Sequence, residues 1–131
     1  MIDHLSVGVK DLDRAAAFYD AALGALGYVR LSANPRHVAY GPPGYTGEAP
    51  FAILPHADAA SEPRFHLAFV AASREAVDRF HAAAIANGGV DEGPPGIRLN
   101  YNPGYYAAFV FDPDGHRVEA VRHEQPAGLT P

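Results

Sequence analysis

Hydrophobic positions along this chain switch between a period of two and one of about 3.6, and the switches mark the elements. From Met1 to Val9, Leu5, Val7 and Val9 share one face while Ile2, His4, Ser6 and Gly8 share the other, which predicts a strand with one apolar side. Asp11 is placed to cap a helix over Leu12 to about Leu26, where Ala15, Phe18, Tyr19, Ala22, Leu23 and Leu26 recur at helical spacing. Gly24 and Gly27 help to stop it. Tyr28 to Leu31, Val38 to Tyr40 and Phe51 to Leu54 read as short strands, separated by Asn34-Pro35 and by the loop Gly41 to Gly47. The first half is therefore strand, helix, three strands.

The same order then recurs. Arg64 to Val70 alternates with Phe65, Leu67 and Phe69 on the apolar face and His66, Ala68 and Val70 opposite. Ser73 caps a second helix carrying Val77, Phe80, Ala84 and Ile85, which Gly88-Gly89 closes. An offset of 62 lays His4 on His66, Leu5 on Leu67, Phe18 on Phe80, Ala22 on Ala84 and Gly27 on Gly89, which indicates an internal duplication. Gly96 to Asn100, Tyr105 to Phe111 and Arg117 to Arg122 supply the last three strands. The expectation is one domain of two modules, residues 1–57 and 64–123, with 124–131 a loose polar tail. Pairing two such modules would bring their matching faces around a shared cavity.

Between the last two strands lies Asp112-Pro113-Asp114-Gly115, a turn in which Pro113 presets φ, Asp112 can cap and Gly115 accepts a left-handed conformation. Beyond it, alternation puts Val118 and Ala120 on one face and Arg117, Glu119 and Val121 on the other. Glu119 is thus a mid-strand carboxylate. Taken alone it fits a solvated residue on an exposed sheet face, as His4 fits an end-of-chain residue and His66 a hydrogen-bonded strand residue. The matched positions of the two histidines, on faces otherwise lined by small residues such as Ser6, Gly8 and Ala68, change the balance. Two imidazoles and one carboxylate suit one divalent first-row cation such as Zn, Mn, Fe, Ni or Co, with coordination positions left for substrate or water.

Composition narrows the alternatives. The chain has no cysteine, so disulfides, a thiol nucleophile and thiolate ligands are excluded, and any metal site must be built from His, Asp and Glu. The net charge of −5 arises from dispersed acids without a basic stripe, which argues against nucleic acid as a partner. No stretch approaches a membrane span and no basic leader precedes an apolar run. A soluble cytoplasmic protein is the expectation.

In His4-Leu5 with the Asp11-Leu12 to Phe18-Tyr19 helix, in His66, and above all in Asp112-Pro113-Asp114-Gly115 followed by Glu119, the chain resembles the vicinal oxygen chelate superfamily. This group includes glyoxalase I, fosfomycin-resistance enzymes, extradiol dioxygenases and bleomycin-resistance proteins. The likeness spans about residues 1–123. It implies an α+β fold of two βαβββ modules whose mixed sheet curls around a central cavity holding metal and a small-molecule substrate, often within a homodimer. His4, His66 and Glu119 would be the metal ligands. Glyoxalase I-like enzymes carry a further glutamate on the last strand of the first half; aligning Phe51-Ala52-Ile53-Leu54 with Arg117-Val118-Glu119-Ala120 places Ile53 there. That departure counts against ordinary lactoylglutathione lyase chemistry. Extradiol dioxygenases carry a histidine several residues before the glutamate, where this chain reads Asn100-Tyr101-Asn102. Fosfomycin-type thiol transferases have a hydroxyl residue two positions after the first ligand, which Ser6 matches as a catalytic candidate.

Arg98, Tyr101, Asn102 and Tyr105 cluster around Pro103-Gly104 and are candidates to meet a substrate, against the plainer reading in which Tyr105 and Tyr106 alternate between core and solvent. His37, His56, His81 and His116 read as solvated, Tyr28 and Tyr40 as packing residues, and the loops Gly41 to Gly47 and Gly93 to Gly96 as plain connections. The function expected is a glyoxalase-like metalloenzyme that chelates vicinal oxygens of a small substrate, with lyase or isomerase, thiol-transfer and dioxygenase chemistry all open. The alternative is a metal-free binding or sequestering protein of the bleomycin-resistance type.

Overall fold

The structure is a computed structural model and describes residues 1–124, so most of the tail expected at 124–131 lies outside the described residues. Two modules of strand, helix and three strands follow one another: β1 (Leu5–Val9), α1 (Leu12–Ala25), β2 (Val29–Asn34), β3 (His37–Gly41) and β4 (Phe51–Pro55), then β5 (His66–Val70), α2 (Arg74–Ala86), β6 (Val90–Ile97), β7 (Tyr105–Phe111) and β8 (Arg117–His123). Each module makes its own four-stranded mixed sheet, in the orders β1-β4-β3-β2 and β5-β8-β7-β6, and the sheets are not closed. In each, the first strand runs parallel to the last and the other pairs are antiparallel. The expected α+β architecture is therefore present.

Capping sets both helix starts. The carboxylate of Asp11 accepts from the Arg14 amide and the hydroxyl of Ser73 accepts from the Ala76 amide, at positions 62 residues apart. The helix ends are not at that offset. Gly27 (φ +90°) and Gly88 (φ +95°) take the left-handed positions, because α2 is one residue shorter; the match of Gly27 with Gly89 is therefore not structural.

Each helix covers one face of its own sheet, and the two helices also pack on each other. Val7, Val9, Phe18, Tyr19 and Ile53 from the first module join Val77, Phe80, Val110, Val118 and Ala120 from the second in a single core. The alternation read from the sequence holds in both leading strands: Val7 and Val9 are buried while Ser6 is exposed, and His66, Ala68 and Val70 lie on the open side.

Two assignments change. The pairing registers are Ser6 with Ala52 and Ala68 with Glu119, so the first-module counterpart of Glu119 is Ala52, not Ile53. Ile53 is fully buried under the helix, because a shift of one residue in a strand exchanges the covered face for the open one. The sixth strand runs Val90–Ile97 instead of Gly96 to Asn100, and Gly93 to Gly96, expected as a plain connection, lies inside it. The ladder to β7 shifts register twice there, around Gly93-Pro94-Pro95-Gly96. The prolines that argued for a loop are tolerated because β6 is an edge strand.

Candidate functional site on the open face of the second sheet

Glu119 is only 1 % exposed although it stands on the sheet face that no helix covers. Its shelter is made by neighbours on β7 and β8, where Ala107, Phe109 and Val121 form a small separate cluster with Tyr105 packed against it. The buried carboxylate is fully partnered. Oε1 lies 2.7 Å from Nε2 of His66, and Oε2 accepts a short hydrogen bond from the Tyr105 hydroxyl. Burial, and then the bond to Glu119, lifts the Tyr105 phenol well above its ordinary range, so it is a proton donor at neutral pH.

The register explains the meeting. His66 pairs with Arg117 across β5 and β8, Ala68 with Glu119, and Phe109 with Glu119 across β7 and β8. All these residues share one face, on which the small Ala68 leaves His66 room to reach Glu119 diagonally. Arg117 extends along the same face with Nη1 3.4 Å from Nδ1 of His66 and Nε donating to Glu92 at 2.7 Å. The guanidinium carbons of Arg98 and Arg117 lie 5.2 and 5.0 Å from the centroid of the Phe109 ring.

Of the residues singled out from sequence, His66, Glu119, Tyr105 and Arg98 come together here. The Tyr101 ring lies 4.7 Å from that of Tyr105, tilted by 47°, and is half exposed. Asn102 instead serves its turn, its side-chain oxygen accepting from the Gly104 amide. Ser6 is exposed on β1, whereas His4, expected within that strand, lies just before its first residue; His4 is exposed and bonds to its neighbour Asp3 at 2.7 Å, a contact that raises its imidazole pKa. Among the described residues no three His, Asp or Glu side chains converge on a point where one ion could sit.

His116, expected in solvent, is 5 % exposed. Its Nε2 lies 2.9 Å from the carbonyl of Gly8, and its ring meets Phe65 edge-on at 5.4 Å. The turn preceding β8 folds over β1, which a reading of the turn alone could not show. Asp112 within it accepts from the amides of Asp114 and His116 and from the Tyr19 hydroxyl, and Asp114 accepts from the Lys10 amide. This turn joins the two modules.

The chain is thus a two-module α+β protein with an open sheet face built around a buried Glu and a partnered His; among the described residues no helix is long and apolar enough to cross a membrane. The model of the Glyoxalase/Bleomycin resistance protein/Dioxygenase superfamily matches residues 1–120, and the chain belongs to that superfamily. A glyoxalase/bleomycin resistance protein from Albidiferax ferrireducens T118 is 39% identical, with 92% of this chain and 97% of that one covered at a TM-score of 0.77. The fosfomycin resistance protein FosX from Listeria monocytogenes shares the fold at 19% identity and a TM-score of 0.68, covering 95% of this chain and 93% of its own. A glyoxalase-related enzyme from Fulvimarina pelagi does so at 20% identity and a TM-score of 0.70, covering 99% and 95%. The curated proteins contain no match.

Proposed function

We propose that the chain is a metal-dependent enzyme acting on a small substrate with adjacent oxygens, in which His66 and Glu119 of one copy and His4 of a second copy hold one divalent cation. The observation that carries this reading is the 2.7 Å approach of His66 Nε2 to Glu119 Oε1. Two ligands bound at about 2.0–2.1 Å to one ion stand roughly 3 Å apart, so this N,O pair needs only a small separation to become two coordination sites. The donor set, imidazole and carboxylate without thiolate, fits a first-row cation. The third ligand is sought in a second copy because His4 immediately precedes β1 in the other sheet, and because β1 and β5 are both sheet edges.

A divalent cation held by His66, Glu119 and the second copy's His4 would supply positive charge near the substrate oxygens and so favour chemistry that develops negative charge on them. The surrounding side chains do the rest. Tyr105 holds Glu119 in position through its hydroxyl, Phe109 and Val121 keep water from the carboxylate, and Ser6 is the candidate to donate to substrate from the His4 side. Ala52, at the place corresponding to Glu119, provides no second carboxylate, which weighs against an isomerase that shuttles a proton between two carboxylates and towards addition or oxygenation.

Mixing variants tests the shared site. His4→Ala and Glu119→Ala, purified without a histidine tag, each retain no metal by elemental analysis. Unfolded and refolded together at equal amounts, they regain about a quarter of an ion per chain, the share expected when half of random dimers contain one intact site. No recovery in the mixture, or stoichiometric metal in either single variant, refutes the assignment.

One observation favours a second reading, a metal-free binding protein: both oxygens of Glu119 are satisfied by His66 and Tyr105. Wild-type protein free of transition metal after expression in metal-supplemented medium, yet binding a flat aromatic ligand, decides for it.

A further inference from the structure

Arg98 stands on this face without a part in the proposed ligand set. Its backbone amide donates to the Tyr105 carbonyl at 2.8 Å, which fixes where the side chain starts. The guanidinium then lies back over the edge strand β6, donating to the Pro94 carbonyl at 2.6 Å, with its central carbon 5.2 Å from the centroid of the Phe109 ring. Glycines make that path. A Cβ on Gly93 would stand 3.2 Å from Nη2 of Arg98 and 3.1 Å from the Phe109 ring, and one on Gly96 would stand 3.1 Å from Nη1. Arg117, stacked on the same ring, is neutralised by Glu92 at 2.7 Å, whereas Arg98 has no carboxylate partner among the described residues. In a chain with a net charge of −5, a guanidinium without a carboxylate partner, held against the same Phe109 ring that His66 adjoins, needs a reason.

We propose that Arg98 receives an oxyanionic group of the substrate, a carboxylate or a phosphoryl group, with Arg117 as its neighbour. This rests on the reading of the His66–Glu119 face as the substrate site. One edge of a guanidinium is occupied by Pro94, and the remaining N–H groups form the fork that pairs with two oxygens of one anion. The bond to Pro94 and the contact with Phe109 hold the guanidinium in place in advance, so little side-chain freedom is lost when the anion arrives. Substrates of this protein therefore bear a negative group besides the reacting oxygens.

The test is calorimetric titration of the full chain with succinate and with inorganic phosphate, each with and without added Mn²⁺, on samples whose metal content is measured. Wild-type protein binds at least one of the two anions, and the difference between them tells carboxylate from phosphoryl. Arg98→Met weakens that binding about ten- to hundredfold, while Arg36→Met, a distant exposed arginine, does not. In parallel, the Arg98 Nε–H resonance of wild-type protein shifts with added anion and saturates with the heat signal, a reading that holds even where R98M fails to fold. Binding of neither anion, unchanged affinity in folded R98M, or an Arg98 resonance that does not move overturns the inference. Anion binding that depends on Arg98 in protein holding no metal keeps this inference and removes the metal reading; metal retention without such binding does the reverse.

Discussion

Replacing Asp112 separates hydrogen bonding from charge at the junction of the two modules. Asp112 is 2 % exposed and accepts three hydrogen bonds: from Tyr19 at 2.6 Å, from the Asp114 amide at 2.9 Å and from the His116 amide at 2.8 Å. Asp112→Ala leaves a buried hydroxyl and two amides without an acceptor. At about 1–3 kcal/mol for each group so stranded, with partial relief from the exposed end of the turn, the loss of stability is about 3–5 kcal/mol. Asp112→Asn keeps an oxygen for the two amides and turns an N–H₂ toward the lone pairs of Tyr19, so its cost is about 1 kcal/mol. The two variants also differ in pH dependence. Burial raises the Asp112 carboxyl above the ordinary aspartate value, despite the donors that act the other way. A raised acid binds its proton more tightly in the folded state. Its stabilising contribution is complete below about pH 4 and is lost as pH rises through the folded value. The stability of D112N relative to wild type therefore improves as pH rises across that window. Urea unfolding followed by circular dichroism between pH 4 and 8 measures both effects. A D112A cost below 1 kcal/mol, or a D112N difference that is flat or runs the other way, refutes the reasoning.

Three further outcomes are expected. In Gly89→Ala the new methyl stands 2.7 Å from the Ala84 carbonyl and 2.8 Å from the Phe18 ring, both in the core, so thermal unfolding shows a loss of about 2–3 kcal/mol; a midpoint equal to wild type contradicts the packing described. Tyr105→Phe removes the donor to Glu119 and lowers stability by about 1 kcal/mol in urea, while metal content per chain is retained, since the phenol holds the carboxylate without being a ligand; a metal-free Y105F contradicts that role. Alkaline absorbance titration of native protein lags behind that of unfolded protein, because burial lifts Tyr19, Tyr40 and Tyr105, and the bond to Asp78 lifts Tyr106. Superimposable curves remove those environments.

What the sequence made legible was local. Period-two alternation put His66 opposite the apolar residues of its strand and Glu119 opposite Val118 and Ala120 of its own, and the caps at Asp11 and Ser73 were visible as residue types at the right spacing before periodic runs. Register across strands was less accessible. Ala52 and Ile53 are adjacent, and only the pairing of Ser6 with Ala52 tells which one corresponds to Glu119. β6 was misplaced for a related reason: Pro94 and Pro95 suppress the strand pattern, yet an edge position lets the backbone stay extended. His116 was missed because its burial depends on Gly8, 108 residues away. The convergence of His4 with His66 was a statement about how modules face one another, and no spacing along one chain encodes that.

The paired prolines in β6 have a consequence for how this molecule coexists with its own kind. An outer strand normally offers a row of free amides to which any extended segment of another molecule can add, the first step toward aggregated β-structure. At Pro94 and Pro95 that row is interrupted, and the two register shifts beside them bend the rim away from a straight template. The margin next to the exposed Arg98 face is thus shielded from strand addition, so the face can stay open to a small visitor without becoming a nucleus for precipitation at high concentration.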